Sequence, residues 1–184
     1  MRIVGGRLKG RALLGPSTAA IRPTADRLRE SLFNILAHAY GDPVPGARVV
    51  DLFAGTGALG LEALSRGARS AVFVDDGAQA RALLRGNIEA LGLGGHARIF
   101  RHDATKLGPA PAGEAFSLAF LDPPYGRDLA GPALQGLRAG GWLAAGALLV
   151  VEASGVAALA LPEGFALAER RDFGGTQLLF LRAT

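Results

Sequence analysis

From residue 47 onward, short apolar runs alternate with stretches of helical periodicity, and this alternation restricts the fold more than any other feature of the chain. The runs at 48–53, 71–75, 97–101, 116–121 and 148–151 read as strands, and 58–65, 78–91 and 129–137 as the helices between them. Strands that are apolar throughout are buried on both faces, and βα alternation joins them in parallel. Two last runs, 165–172 and 177–181, flank Gly174-Gly175 and read as a closing hairpin. The expectation is an α/β fold with a mostly parallel, seven-stranded, doubly wound sheet and an antiparallel C-terminal strand.

Residues 1–45 follow a different pattern. Gly5, Gly6 and Gly10 suit a small hairpin over 1–14, and Gly15-Pro16-Ser17-Thr18 a turn. Pro23-Thr24 reads as a helix start with Thr24 as its N-cap, and Leu28, Leu32, Ile35, Leu36 and Ala39 give an amphipathic helix over 24–39. This extension has too few apolar side chains to fold alone, so it is expected to pack on a main domain over 46–184.

Charge divides the chain in the same place. Residues 1–30 hold seven Lys and Arg against Asp26 and Glu30, a net +5, whereas the rest carries −1. A near-neutral body with a basic arm is the footprint of a phosphate-backbone partner. The chain has no cysteine, which excludes disulfides, thiolate catalysis and Cys-based zinc sites. The apolar runs are far too short for a membrane span, and Met1-Arg2-Ile3-Val4 leads into charge instead of a signal sequence. A cytoplasmic protein is expected, monomeric by default.

Gly55-Thr56-Gly57-Ala58-Leu59-Gly60 fits G-x-G-x-x-G between a strand and a helix, so the backbone there can approach a nucleotide closely. Asp75 ends the next strand, where a carboxylate grips ribose hydroxyls. That much suits NAD as well as other nucleotides. Asp51, Asp75, Asp103 and Asp122 each fall at or just past a strand end, and such ends line one crevice. Asp51 stands just ahead of the glycine loop, where a carboxylate repels a pyrophosphate and attracts a cation. S-adenosylmethionine, with a sulfonium, an ammonium and an adenosine, is favoured over NAD. His38, His96 and His102 lack metal-ligand spacing and read as surface or capping residues.

Asp122-Pro123-Pro124-Tyr125 follows the strand at 116–121. Two prolines fix the backbone and aim the Pro123 carbonyl in one direction. A carboxylate, a rigid carbonyl and an aromatic face then converge on one turn. That trio suits a planar ring with an amino group: two acceptors for two N–H bonds and a surface for stacking.

With these motifs placed, the chain resembles the bacterial small-subunit ribosomal RNA guanine-N2 methyltransferases, a branch of the Rossmann-like class I S-adenosylmethionine-dependent enzymes. The likeness rests on Arg2-Ile3-Val4-Gly5-Gly6, on residues 22–34 beginning Arg22-Pro23-Thr24, on Asp51-Leu52-Phe53-Ala54-Gly55-Thr56-Gly57 with Leu61-Glu62-Ala63, and on Asn87 with Leu91-Gly92-Leu93. It implies that Asp51, Phe53 and the loop Gly55, Thr56 and Gly57 hold the methionine end, Asp75 the ribose, and Asp103 with the Ala104 backbone the adenine. Asp122 would border both cofactor and target, acting with Pro123 and Tyr125 on a guanine amine of 16S rRNA. Apart from the resemblance, the charge of the basic arm points to Arg2, Arg7, Lys9 and Arg11 on RNA phosphates, and Arg22, Thr24 and Arg27 either stand at the pocket mouth or belong to a capped helix with solvated arginines. The family more often has Glu at Asp75 and an acidic residue at Gly175. Competing readings are amino-group methylation of adenine or cytosine in DNA, an NAD-dependent oxidoreductase, and a non-catalytic RNA-binding module.

Overall fold

A computed structural model describes residues 1–17, 23–154 and 159–184. In chain order the elements are α1 (Pro23–Ala39), β1 (Arg48–Leu52), α2 (Ala58–Ser65), β2 (Ser70–Val74), α3 (Ala78–Ala90), β3 (Ala97–Phe100), β4 (Phe116–Leu121), α4 (Ala130–Ala139), β5 (Leu143–Ser154), β6 (Phe165–Phe173) and β7 (Thr176–Ala183). The seven strands form one sheet in the order β3-β2-β1-β4-β5-β7-β6. β1 pairs in parallel with β2 on one side and with β4 on the other. Strand order therefore reverses between β1 and β4, and a ligand crevice opens at their C-terminal ends. β7 runs antiparallel to both β5 and β6. This is the class I methyltransferase sheet.

β1, β2 and β4 are buried almost end to end, as their Val, Leu and Phe content requires, whereas the edge strand β3 is only partly buried. β5 is the element least visible in the sequence. It spans twelve residues instead of the expected four, starting where Leu143 pairs with Phe116 and shifting register before Leu118 meets Leu148. Ala144, Ala145 and Gly146 fill that stretch, small residues with little strand propensity, and Gly146 takes φ +70. Gly174 and Gly175, at φ +56 and +96, form the two-residue turn between β6 and β7, as positive-φ hairpin turns demand.

The first 14 residues contain one antiparallel bridge, Arg2 to Ala12, in place of a full hairpin. Ile3 N–H donates to the Arg11 carbonyl at 2.9 Å, Gly10 N–H to the Ile3 carbonyl at 2.8 Å and Leu13 N–H to the Met1 carbonyl at 3.0 Å, and the main domain satisfies further groups. Val4 N–H donates to Glu62 Oε2 at 2.9 Å, Leu8 N–H to Ser65 Oγ at 3.0 Å, and Ser65 Oγ to the Gly5 carbonyl at 2.7 Å. Ile3, Leu13, Leu32, Phe33, Ile35 and Leu36 are buried in one cluster with Val49, Leu61, Phe73 and Phe120. The α1 core face is thus 32, 33, 35 and 36; Phe33 meets the Phe120 ring at 5.6 Å, and Ala39 is exposed. α1 begins at Pro23, so Thr24 lies within the first turn instead of before it, and its side chain is outside the described set. Among the described residues, no helix is long and apolar enough to cross a membrane.

Candidate active site

The crevice floor is built by carboxylates that cap backbone amides. Asp51, on β1 and 1 % exposed, accepts from Gly60 N–H at 2.9 Å. Asp75, just past β2, accepts from Gly55 N–H at 2.9 Å and Gly77 N–H at 2.8 Å. Two glycine-loop amides that a pyrophosphate would need are therefore already occupied by aspartate side chains. A Cβ at Gly60 would run into the Phe73 ring, and one at Gly57, where φ is +82, into Leu84. Those two glycines press the loop onto the sheet. Phe53 turns the chain just after β1 at φ +57, a left-handed backbone that costs a non-glycine residue about 1–3 kcal/mol.

Two lobes follow from this floor. The larger, about 450 Å³, runs from Asp51 and the glycine loop to Asp122, Tyr125 and Glu152, within the size range of small-molecule sites. The smaller, about 160 Å³, lies over Asp75, Asp103 and Ala104. Phe53 and Pro124 line both. All four acids expected to share a crevice border one lobe or the other. Asp103 binds the Thr105 hydroxyl at 2.6 Å and its N–H at 2.9 Å, bonds that hold its carboxyl below the usual carboxylate range. The outer wall of the larger lobe is α1, through Ala25, Leu28, Arg29 and Leu32. Arg27 is exposed and does not line it, because helical spacing puts 25, 28, 29 and 32 on one face and 27 off it.

Protonation separates these acids. Burial pushes the Asp51 carboxyl well above its ordinary value, against the Gly60 hydrogen bond, and the charges of Asp122 and Asp75 add to the rise. The surrounding protein likewise lifts Asp122 to about 7, with the Glu152 charge as the second cause. Solvent reaches Asp122 from the crevice, which screens part of that rise without reversing it. Two carboxyls that hold their protons above the ordinary carboxylate range thus share one lobe.

Tyr125 is 55 % exposed, and its hydroxyl donates to Glu152 Oε1 at 2.7 Å while lying 3.4 Å from Thr176 Oγ1. Burial, opposed by the Thr176 bond and reinforced by Glu152, raises the phenol above its ordinary value. The ring is thereby tethered across the lobe to β5. Glu152 is absent from the residues singled out in the sequence, although it obeys the same rule as the others: an acid directly after an apolar strand run.

Arg2, Arg7, Lys9, Arg11 and Arg27 are exposed, and Arg11 donates to the Ala90 carbonyl at 2.6 Å. Arg22 lies outside the described residues. His38, His96 and His102 are exposed, and among the described residues no three His, Asp or Glu are grouped to hold a metal ion.

Known proteins resemble this chain over most of its length. Ribosomal RNA small subunit methyltransferase D of Escherichia coli strain K12 is 42% identical over 153 residues, 83% of this chain and 74% of that protein. The protein of the same name from Haemophilus influenzae is 32% identical over 176 residues, 95% and 89% of the two chains. The solved yhhF structure from Escherichia coli superposes with a TM-score of 0.82 at 34% identity, covering 100% of this chain and 97% of that one. The family model described as Conserved hypothetical protein 95 matches residues 1–182, so the chain belongs to that family.

Proposed function

We propose that this protein transfers a methyl group from S-adenosylmethionine to the exocyclic N2 amino group of a guanine in small-subunit ribosomal RNA. The observation that carries the reading is the pairing, in one lobe, of a buried carboxyl beside the glycine loop, Asp51, with the Asp122-Pro123-Pro124-Tyr125 turn. The donor set fits the cofactor. Asp51 and the loop from Phe53 to Gly57 suit its methionine end, Asp75 a ribose diol, and Asp103 with the Ala104 amide an adenine edge. When bound, S-adenosylmethionine supplies an electrophilic methyl on a sulfonium.

The protein's own task is to prepare the amine, whose lone pair is delocalised into the guanine ring. Asp122 and the Pro123 carbonyl accept its two N–H bonds, which favours a pyramidal nitrogen with its lone pair turned toward the cofactor. Asp122, with its carboxyl lifted to about 7, is suited to receive the proton released on transfer. The Tyr125 ring stacks on the extruded base and offsets an unstacking cost of a few kcal/mol. Orientation of this kind removes about 7–11 kcal/mol of barrier in well-aligned systems.

Residues 1–45 form the RNA-facing extension of the catalytic domain, with Arg2, Arg7, Lys9, Arg11 and the exposed Arg27 on phosphates and Arg22 and Thr24 near the crevice mouth. We extend the reading to an assembling or assembled small ribosomal subunit as substrate, a monomeric enzyme and a cytoplasmic setting. The test is tritiated methyl transfer to small subunits, naked ribosomal RNA and DNA in parallel, with nucleoside analysis of the product. N2-methylguanosine from the RNA arms is expected; product only in DNA, or only at another base, overturns the reading. Asp122→Ala should retain cofactor binding and abolish transfer.

A further inference from the structure

Glu152 is the acid that the mechanism above leaves without a task. It stands near the end of β5, half-buried, in register with Leu178 of β7. It lines the same lobe as Asp51 and Asp122. Its Oε1 is committed to the Tyr125 hydroxyl at 2.7 Å, which fixes the direction of the carboxylate. Among the described residues, no hydrogen bond is made to Oε2. The rise of the Asp122 carboxyl under the Glu152 charge shows that the two acids feel one another across the lobe.

The edge chemistry of the bases gives such a pair a meaning. On guanine the N2 amine adjoins an imino N1–H, so its edge presents donors side by side. Adenine and cytosine instead place a ring-nitrogen lone pair next to the amine. An acceptor beside the amine clamp therefore gains a hydrogen bond from guanine and meets lone-pair repulsion from the other two. We propose that Glu152 accepts the N1–H of the target guanine through Oε2 and is the side chain that selects guanine among amino-bearing bases. Asp122 and Pro123 hold the amine, Glu152 reads its neighbour, and Tyr125 braces both the ring and the reader. A site built to receive that hydrogen rejects a base lacking it, because a desolvated carboxylate is then left unpaired.

This inference rests on the guanine-N2 reading, and the experiment separates the two. The probe is a reconstituted small subunit carrying 2-aminopurine at the mapped target nucleotide. That base keeps the amine at C2 and has an unprotonated N1. The readout is the ratio of methyl transfer to guanine over 2-aminopurine, compared between variants so that intrinsic reactivity cancels. The unmodified enzyme should favour guanine, and Glu152→Gln, whose amide can donate to N1, should lower the ratio roughly ten- to a hundredfold. Tyr125→Phe removes the brace and keeps the carboxylate, so its ratio should fall by much less than that of Glu152→Gln. Equal ratios in Glu152→Gln and the unmodified enzyme overturn the proposal, as does an equal fall in both variants, which would make Glu152 only the anchor of Tyr125. If Glu152→Gln is not stabilised by S-adenosylmethionine in a thermal shift, Glu152→Ala is read by the same ratio. No transfer to guanine N2 by the unmodified enzyme would instead sink the underlying function.

Discussion

Asn87 on α3 and Thr56 in the glycine loop are joined by a 2.9 Å hydrogen bond from the side-chain amide to the loop carbonyl. The same side chain donates to the Leu14 carbonyl at 3.1 Å and accepts from the Leu14 N–H at 2.6 Å. One buried amide thus ties the end of the basic arm to the wall of the cofactor lobe. Asn87→Asp keeps the shape but turns an acceptor toward two carbonyls. It should destabilise the protein by about 1–3 kcal/mol, the cost of leaving buried polar groups unpaired. It should also weaken S-adenosylmethionine binding several-fold by loosening the loop. Urea denaturation and calorimetric titration measure the two effects; an unchanged cofactor affinity would show that the tie does not reach the loop.

The four aspartates could be found in the sequence because an acid after an apolar run is a local signal. Glu152 carries that signal too, but its direction depends on more than position. The strand continues through Ser154, so pairing with Leu178 decides which face Glu152 takes. Such pairing between distant segments is not written locally. Asn87 and Leu14 are 73 residues apart, and Val4 and Glu62 are 58 apart. Asn87 and Glu62 are each an ordinary polar residue in an ordinary helix until the fold supplies a partner. The crevice wall was half legible for a similar reason. The helix 24–39 followed from periodicity, whereas which of its residues face the crevice required knowing what it packs against.

Glu62 is the next test of that hidden layer. Fully buried, it takes Arg66 Nε at 2.8 Å, Arg29 Nε at 3.4 Å and the Val4 N–H. Arg29 is itself 4 % exposed and also contacts the Arg2 carbonyl and Asp26. Removing one member of a buried ion pair costs about 3–5 kcal/mol, because the other is left without compensation. Glu62→Gln should fall near the lower bound, since Asp26 still serves Arg29. Guanidinium unfolding reads the loss, and a change under about 1 kcal/mol would mean water replaces the carboxylate.

The crevice acids set a pH dependence of the opposite sign to a surface salt bridge. Asp122 has a folded value near 7 against an ordinary 3.8, so the folded state holds its proton longer than the unfolded one. Stability from this group is full below about pH 4 and declines as pH rises toward 7. Asp122→Asn removes the titration. The variant should therefore gain Tm relative to the parent as pH rises from 4 to 7, with the two converging at the acid end. A gap that is constant across that range would assign the difference to packing.

The basic arm should reveal itself through salt. Arg7 and Lys9 are exposed, whereas Arg11 is already engaged by the Ala90 carbonyl. Each phosphate contact adds about 0.9 to the slope of log K against log salt for a duplex and about 0.7 for a single strand. Arg7→Ala and Lys9→Ala should each lower the slope by roughly that amount, and Arg11→Ala by less. Filter binding to ribosomal RNA between low and moderate salt gives the slopes, and a slope untouched by the triple substitution removes the arm from the interface.

Asp51 should make cofactor binding proton-linked. Burial, with the charges of Asp122 and Asp75, raises its carboxyl well above the ordinary value, so the free protein keeps that proton to higher pH than an exposed aspartate does. In the proposed mode the cationic methionine end of S-adenosylmethionine pairs with the ionised form, so binding should expel the proton from those molecules in which free Asp51 still carries it. Affinity must then rise with pH, by at most tenfold per pH step for one proton, until Asp51 is ionised in the free state as well. Calorimetry in two buffers of different ionisation enthalpy counts the proton directly. Asp51→Asn should bind more weakly and release none. A parent protein that binds S-adenosylmethionine without proton release would mean that Asp51 keeps its proton beneath the ligand, and that the attraction to the cation arises elsewhere.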